Sequence, residues 1–198
     1  ELTANHRCIE FEIAVAHISA NLSRREADLL IRHHVPDLAS VVGRKLATFA
    51  FALYGTAELA ARTDGSRSTL VELPWVGFDD EHQYMPGQRW QAALLGNGRP
   101  AVRTNNGVML ANAIRGGNGV GVLPCFIGDA DPALVRVTPV IEDAATDQWM
   151  LVHSDLRKVP RVRIVMDALV QLFKAHRAEI EGTATTLADE PERPRLTA

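Results

Sequence analysis

The sequence has little of what marks several protein classes. Its only two cysteines, Cys8 and Cys125, stand far apart and outside any metal-type spacing, so neither a disulfide framework nor a zinc site is indicated. No apolar run approaches the roughly 20 residues needed to cross a bilayer. Residues 1–6 lack the basic and apolar regions of a signal peptide. These absences predict a cytoplasmic protein with no membrane partner.

The chain also lacks a cluster of positive charge. Its formal net charge is −3, and its basic pairs are scattered among acids. Because phosphate contacts need clustered Lys and Arg, this stretch is not expected to grip nucleic acid. The 198 residues are 46% hydrophobic, which is enough for one large core or two small lobes.

Strand-like and helix-like patterns alternate along the chain. Strands are predicted at residues 9–13, 28–31, 46–53, 75–78, 120–123, 134–137 and 149–152. Helices are predicted at residues 22–27 and 57–61, from the asparagines at 105–106 to the glycines at 116–117, and onward from Pro160. This alternation predicts an α/β fold with a mostly parallel sheet. Residues 183–198 offer little to bury and are predicted to be a disordered tail.

Two patterns that suggest chemistry have simpler interpretations. Gly117, Gly119 and Gly121 follow a predicted helix and precede a strand, the reverse of the order in a dinucleotide-binding loop. They are better explained as a helix end and a close-packed strand entry. His153-Ser154-Asp155 contains the residue types of a hydrolytic triad, but adjacent residues in a turn do not converge as a triad must. No catalytic residue, metal site or cofactor is predicted.

Polar residues gather where a predicted strand ends, at Arg32, His33 and His34. Ligands of α/β proteins collect beyond the carboxyl ends of strands, where Arg32 could pair with a carboxylate. The two histidine rings point to opposite faces of an extended backbone, so they do not chelate one metal ion. Lining a pocket and ordinary surface or packing roles both remain open for these three residues.

Thr104, Asn105 and Asn106 form a second polar group, at the start of a predicted helix. A helix N-terminus presents free N–H groups and a partial positive charge, so it can hold an anion. The same residue types also cap helices without any ligand. Both interpretations remain open.

Several segments, in order, resemble the sensor domains of LysR-type transcriptional regulators. Glu26-Ala27-Asp28-Leu29-Leu30-Ile31-Arg32 is similar to their G-E-x-D-L-A-I-R segment. The other similar segments are residues 46–60, residues 102–106 with the helix that follows, Gly117-Asn118-Gly119-Val120-Gly121-Val122-Leu123-Pro124, and residues 156–173. The resemblance covers roughly residues 9–176, and its specificity comes from the order of the matches.

The resemblance implies a type 2 periplasmic-binding-protein-like α/β fold, with two lobes joined by two crossover strands around Phe49–Leu53 and Trp149–His153. Lobe I would comprise residues 1–51 and 149–182, and lobe II residues 52–148. The family's winged helix-turn-helix is absent from this sequence. The resemblance also implies that the family's first sensor strand and most of the next helix are missing, with residues 1–8 as that helix's tail.

What the resemblance implies about function is a non-enzymatic effector-binding domain. A small organic molecule, neutral or anionic, would bind between the lobes and control transcription through the absent DNA-binding domain. A homodimer or homotetramer is implied, with operator DNA contacted only through that domain. The implied effector-binding residues are Arg32, His33, His34, Thr104, Asn105, Asn106, Pro124, Phe126 and His153. A solute-binding protein of a transport system is the alternative.

Overall fold

The computed structural model describes residues 2–6, 8–15, 22 and 26–184. The strands are β1 (Leu29–Arg32), β2 (Val41–Phe49), β3 (Phe51–Gly55), β4 (Val76–Phe78), β5 (Val102–Thr104), β6 (Gly121–Pro124), β7 (Val135–Arg136) and β8 (Thr146–His153). The helices are α1 (Leu2–Asn5), α2 (Ala57–Ala60), α3 (Arg67–Leu70), α4 (Gln88–Leu95), α5 (Gly107–Arg115), α6 (Cys125–Gly128), α7 (Pro160–Ala175) and α8 (Arg177–Ile180). Short 3-10 turns cover Asp80–His82, Glu142–Ala144 and Leu156–Lys158.

Lobe I is built on a sheet in the order β1-β8-β2, with β8 antiparallel to both neighbours. Val152 on β8 packs with Leu156 and with Val162 of α7, which covers one face of this sheet. The register between β2 and β8 shifts between Lys45 and Ala47. The described core of this lobe is therefore small and lies under α7.

Lobe II holds the larger core. Its central sheet has the order β6-β3-β7, and β3 is buried along its whole length. The parallel pair β4–β5 joins it through a bridge between Trp75 and Val120. The run predicted as one strand at 46–53 is thus divided between two sheets, because β2 ends at Phe49 and β3 begins at Phe51.

The expectation of a mostly parallel sheet is wrong for the described strands. The pairs β1–β8, β2–β8, β3–β6 and β3–β7 are antiparallel, and only β4–β5 is a parallel ladder. Alternating strands and helices in sequence do not reveal which distant strands pair. Here β8 comes back from lobe II and runs between β1 and β2 in the opposite direction.

Within the described residues, the chain leaves the β1-β8-β2 sheet for the β6-β3-β7 sheet at Ala50 and returns to it at Ala145. The first crossing joins β2 directly to β3. The second precedes β8, and β8 lies entirely in the lobe I sheet from Thr146 onward. The predicted crossover at Trp149–His153 is therefore a few residues too late, and residues 146–148 belong to the lobe I sheet. Their polar side chains concealed a strand whose register only the pairing with β2 reveals.

Three other expectations concern the chain ends. Residues 8–15 form no strand, and Ile13 and Val15 are 84% and 94% exposed. Apolar alternation predicts a strand only if a partner edge is available. The predicted helix at 22–27 and the predicted tail at 183–198 lie largely outside the described residues. Of that tail, Thr183 and Ala184 are described, and their N–H groups donate to the carbonyl of Ala178.

Candidate functional site

The carboxyl end of β1 lies on the side of lobe I that leads to lobe II. Arg32 pairs with Trp149 on β8, only three residues from Thr146 where β8 begins. The Arg32 side chain contains the one buried nitrogen or oxygen of the described side chains that lacks a hydrogen-bond partner, its Nε. An unpaired buried guanidinium N–H is an unusual feature, because nearly all such groups are hydrogen-bonded in folded proteins.

His33 follows Arg32 and is engaged within the protein. Its Nδ1 lies 2.7 Å from Nε2 of Gln148, which is 3% exposed. Burial lowers the pKa of His33, and the neighbouring charges of Arg32 and His34 lower it further. A neutral imidazole accepts a hydrogen bond from the amide, so the positive charge of this strand end belongs to Arg32. His34 is exposed.

The start of α5 satisfies its own polar groups. Oδ1 of Asn106 accepts hydrogen bonds from the N–H groups of Val108 and Met109, at 2.9 and 3.1 Å. The Thr104 hydroxyl accepts from the Asn106 N–H at 3.1 Å. Asn105 is exposed. The capping interpretation is therefore confirmed for Asn106, and two donors that an anion would use are already occupied.

Two acidic residues that were not predicted to belong to a site, Asp79 and Asp80, lie beside this helix start. The N–H of Asp79 donates to the carbonyl of Thr104 at 3.0 Å. Its carboxylate contacts Nδ1 of His82 at 2.5 Å, and this hydrogen bond lowers the pKa of Asp79. Asp80 pairs with Arg103 at 3.0 Å. The signal that could have identified Asp79 is its place directly after a predicted strand. Asp80 also lies 3.5 Å from Arg99, so the acids beside the α5 start are already paired with basic side chains.

Pro124 and Phe126 take part in packing beside the first crossing. Pro124 pairs with Phe51 across the β3–β6 ladder. The Phe126 ring meets Phe49 edge-on at 5.0 Å, and Phe49 stacks on Phe173 of α7 at 6.2 Å. These three aromatic rings connect lobe II, the first crossing and α7, so they help to hold the two lobes together.

His153 does not reach the second crossing. It pairs with Val41 at the far end of β8, seven residues from Thr146, or roughly 23 Å at about 3.3 Å per residue. The expectation that His153 lies on the floor of the gap between lobes is wrong. Its Nδ1 instead accepts from the Asp155 N–H at 3.3 Å, as expected for the turn.

A buried polar network that sequence reasoning missed ties α6 and β7 of lobe II to the chain after α8. The Tyr54 hydroxyl donates to Asp129 at 2.7 Å, Asp129 pairs with Arg136, and Arg136 Nη1 donates to the Gly182 carbonyl at 3.3 Å. Burial raises the pKa of Tyr54 above its ordinary value, so the hydroxyl keeps its proton. No motif connects these four residues in the sequence.

The glycine pattern has the predicted structural role. Gly117 takes φ 75° just after α5, and its N–H donates to the Ile114 carbonyl. A Cβ at Gly119 would stand 2.6 Å from the Pro74 carbonyl oxygen. Within the described ranges, no group of three or more His, Cys, Asp or Glu side chains could hold a metal ion.

Two surface grooves stand out, and none of the nine predicted site residues lines either. The larger, about 690 Å³, lies in lobe I and is lined by Val42, Gly43, Arg44, Met150, Arg157, Lys158, Arg163, Met166 and Asp167. The smaller, about 150 Å³, lies in lobe II between α4 and β5. Among the helices that the structure describes, none is both long and apolar enough to span a membrane.

The two-lobed α/β architecture with two crossings is that of a periplasmic-binding-protein-like ligand-binding domain. Residues 1–174 match the family model described as the LysR substrate binding domain. The chain belongs to this family and is a LysR-type effector-binding domain with a periplasmic-binding-protein-like type 2 fold. It is a regulator domain, not an enzyme. The search of curated proteins gives no significant match.

Solved structures of regulator domains share this fold. The CrgA regulatory domain of Neisseria meningitidis has a TM-score of 0.70 at 20% identity, over 87% of this chain and 88% of that chain. The AmpR effector domain of Pseudomonas aeruginosa has a TM-score of 0.64 at 15% identity, over 88% and 85%. The C227S regulatory domain of AphB from Vibrio vulnificus has a TM-score of 0.65 at 16% identity, over 87% and 88%. At these identities the likeness concerns the fold alone.

Proposed function

We propose that this domain senses a small organic anion between its two lobes and that Arg32 is the residue that pairs with it. The observation that carries the proposal is the buried Arg32 Nε, which has no hydrogen-bond partner in the part of the chain described. Leaving a buried donor unpaired costs about 1–3 kcal/mol, and more when the group is charged. A ligand carboxylate placed against this guanidinium would remove that cost.

The position of Arg32 supports a site between lobes. β1 and β8 are antiparallel, so the carboxyl end of β1 lies near the start of β8, next to the second crossing. His33 is held by Gln148 beside it. Across the gap, Asn105 at the exposed start of α5 supplies a neutral amide donor. In this proposal the Arg32 guanidinium pairs with the charge of the ligand. His33 and Asn105 line the site and form hydrogen bonds with the ligand. His34 and Thr104 lie at the edge of the site.

The signal follows from the way the lobes are connected. Each crossing between the sheets is short, at Ala50 and at Ala145, and in this proposal the two crossings act as hinges. An effector that touches both lobes favours the orientation it binds more tightly, and only by that difference in affinity. In a cytoplasmic homo-oligomer, this change would reposition winged helix-turn-helix domains on operator DNA.

The experiment is a thermal-unfolding screen of the chain with benzoate and succinate, using benzamide as the uncharged counterpart of benzoate. A ligand that binds only the native state raises the melting temperature. We expect a carboxylate to raise it more than benzamide, and Arg32→Gln to remove the difference. Arg62→Gln, which removes an exposed cation from lobe II, should leave it intact. Equal shifts for benzoate and benzamide, or none for any carboxylate, would reject an anionic effector.

A further inference from the structure

The 690 Å³ groove of lobe I, called here the basic groove, is separate from the site around Arg32. It lies between β2, β8 and the first half of α7. Side chains alternate between the faces of a strand. Met150 points into the basic groove, whereas its neighbour Trp149 stands beside Arg32 on the opposite face. The groove and the proposed effector site therefore lie on opposite sides of β8.

The floor of the basic groove is apolar. Val42 and Met166 are partly buried there and pack against the small lobe I core, and Met150 is 1% exposed. Methionine side chains are flexible and polarisable, so they adapt to irregular apolar ligands. The volume falls within the range of about 300–1,000 Å³ typical of small-molecule pockets. The groove is thus large enough for a compact organic molecule.

The rim of the basic groove carries strong positive charge. Four of its nine lining residues are cations, namely Arg44, Arg157, Lys158 and Arg163, and one, Asp167, is an acid. Arg163 and Asp167 approach only to 3.9 Å and are both exposed, so their pairing is weak. The other three cations form no ion pair with any described residue. This rim contrasts with the whole chain, whose net charge is −3.

The N-terminus of α7 adds to the positive potential. Its first turn contains no acidic residue, and the side chain of Val159 at the cap makes no hydrogen bond to the helix. Acidic residues usually stabilise this end of a helix, because the helix dipole is positive there. In α7 the first turn instead carries Arg161 and Arg163. The charge of the rim and the charge of the helix end therefore have the same sign.

We propose that the basic groove is a second ligand site, specific for an amphipathic organic anion with an apolar body and one acidic headgroup. The apolar body lies on Met150, Met166 and Val42. The headgroup contacts Arg44 and the cations of residues 157–163. A purely inorganic anion would leave the apolar floor exposed, and a neutral lipid would leave the cations unpaired.

The test measures binding of decanoate to the full chain by calorimetry, with 1-decanol as the uncharged counterpart. Removal of two rim cations in Arg44→Gln/Arg157→Gln should weaken decanoate binding about tenfold or more, since hydrogen bonds to charged groups contribute strongly to affinity. Both residues are exposed, so the melting temperature should change little. The matched control Arg62→Gln/Arg89→Gln removes two exposed cations from lobe II and should change the affinity less than about twofold.

A variant that is expected to increase the affinity for decanoate controls for a general loss of structure. Asp167→Asn removes the one acid of the rim and should tighten decanoate binding by a few-fold. Arg32→Gln should keep the decanoate-binding step that Arg44→Gln/Arg157→Gln weakens, which separates the basic groove from the carboxylate site between the lobes. Equal weakening by both double variants, no weakening by the groove variant, or equal affinity for 1-decanol would overturn the proposal. A dimer that forms through the groove without decanoate would also overturn the proposal. Sedimentation would detect such a dimer, and Arg44→Gln/Arg157→Gln would abolish it.

Discussion

The end of β1 and the start of α5 look alike in the sequence, since each is a run of three polar residues after a strand. In the structure they differ in how their polar atoms are used. At α5, Asn106 and Thr104 bond to the local backbone, and the nearby Asp79 and Asp80 are paired with basic side chains. At β1, the Arg32 guanidinium keeps a buried, unpaired N–H. A polar cluster is a candidate binding site only for the groups that the fold itself leaves unsatisfied.

The largest change in effector affinity is expected from Arg32→Gln, at the end of β1. Loss of a charge-assisted hydrogen bond, about 1.5–3 kcal/mol, should weaken binding of a carboxylate effector by roughly 10- to 100-fold. The free energy of unfolding without ligand should stay the same or rise, because a buried unpaired group is removed. Calorimetry with a bound carboxylate and urea unfolding measure the two quantities. A loss of stability with unchanged affinity would show that Arg32 has a structural role instead.

The second effect concerns Asn106. Asn106→Ala should lower the free energy of unfolding by about 1 kcal/mol, the typical loss for a helix N-cap. Effector affinity should change little, since the side-chain Oδ1 of Asn106 already accepts hydrogen bonds from the helix N–H groups. Asn106→Asp keeps a capping oxygen and should restore most of the stability in urea unfolding. If Asn106→Ala weakens effector binding as much as Arg32→Gln does, then the start of α5 and the end of β1 contribute equally to the effector site, and the proposed difference between them is wrong.

A smaller effect is expected at Asn105, whose side chain is free of the capping bonds. One neutral hydrogen bond contributes about 1 kcal/mol, so Asn105→Ala should weaken effector binding by roughly fivefold. The melting temperature without ligand should be unchanged. Calorimetry on Asn105→Ala and on Asn105→Gln tests this, with Gln expected to recover part of the affinity. Unchanged affinity in Asn105→Ala would remove the α5 start from the site.

The smallest effect is a pH dependence caused by His33. Its pKa is below the ordinary value of 6.5, so the unfolded chain binds this proton more readily than the folded chain. The stability associated with neutral His33 is therefore complete above about pH 6.5 and is lost as the pH falls through and below that value. Urea midpoints at about pH 7.5 and 5.5 should differ less in His33→Gln than in the original chain. An identical difference in both would mean that other groups cause it.

Prediction from the sequence worked best where the signal is local. The α5 helix is bounded by an asparagine cap and a glycine at positive φ, and both are read directly from residue types. By contrast, the apolar run at residues 46–53 predicted one strand, and only the structure shows that β2 ends at Phe49 and β3 begins at Phe51. Thr146, Asp147 and Gln148 were missed as a strand because their polar side chains resemble a loop, and only the distant partner β2 defines them. His153 was misplaced for the same reason, since strand register is a long-range property.

The sequence alone determined the family, the α/β class and the local caps, because these depend on residue order and on neighbours within a few positions. The tertiary structure decided which polar groups remain unsatisfied. It paired His33 with Gln148 across 115 positions, buried the Arg32 Nε without a partner, and brought Arg44 and Arg163 to one groove. Burial and pairing between distant residues arise only when the chain is folded, so no local pattern could have revealed them.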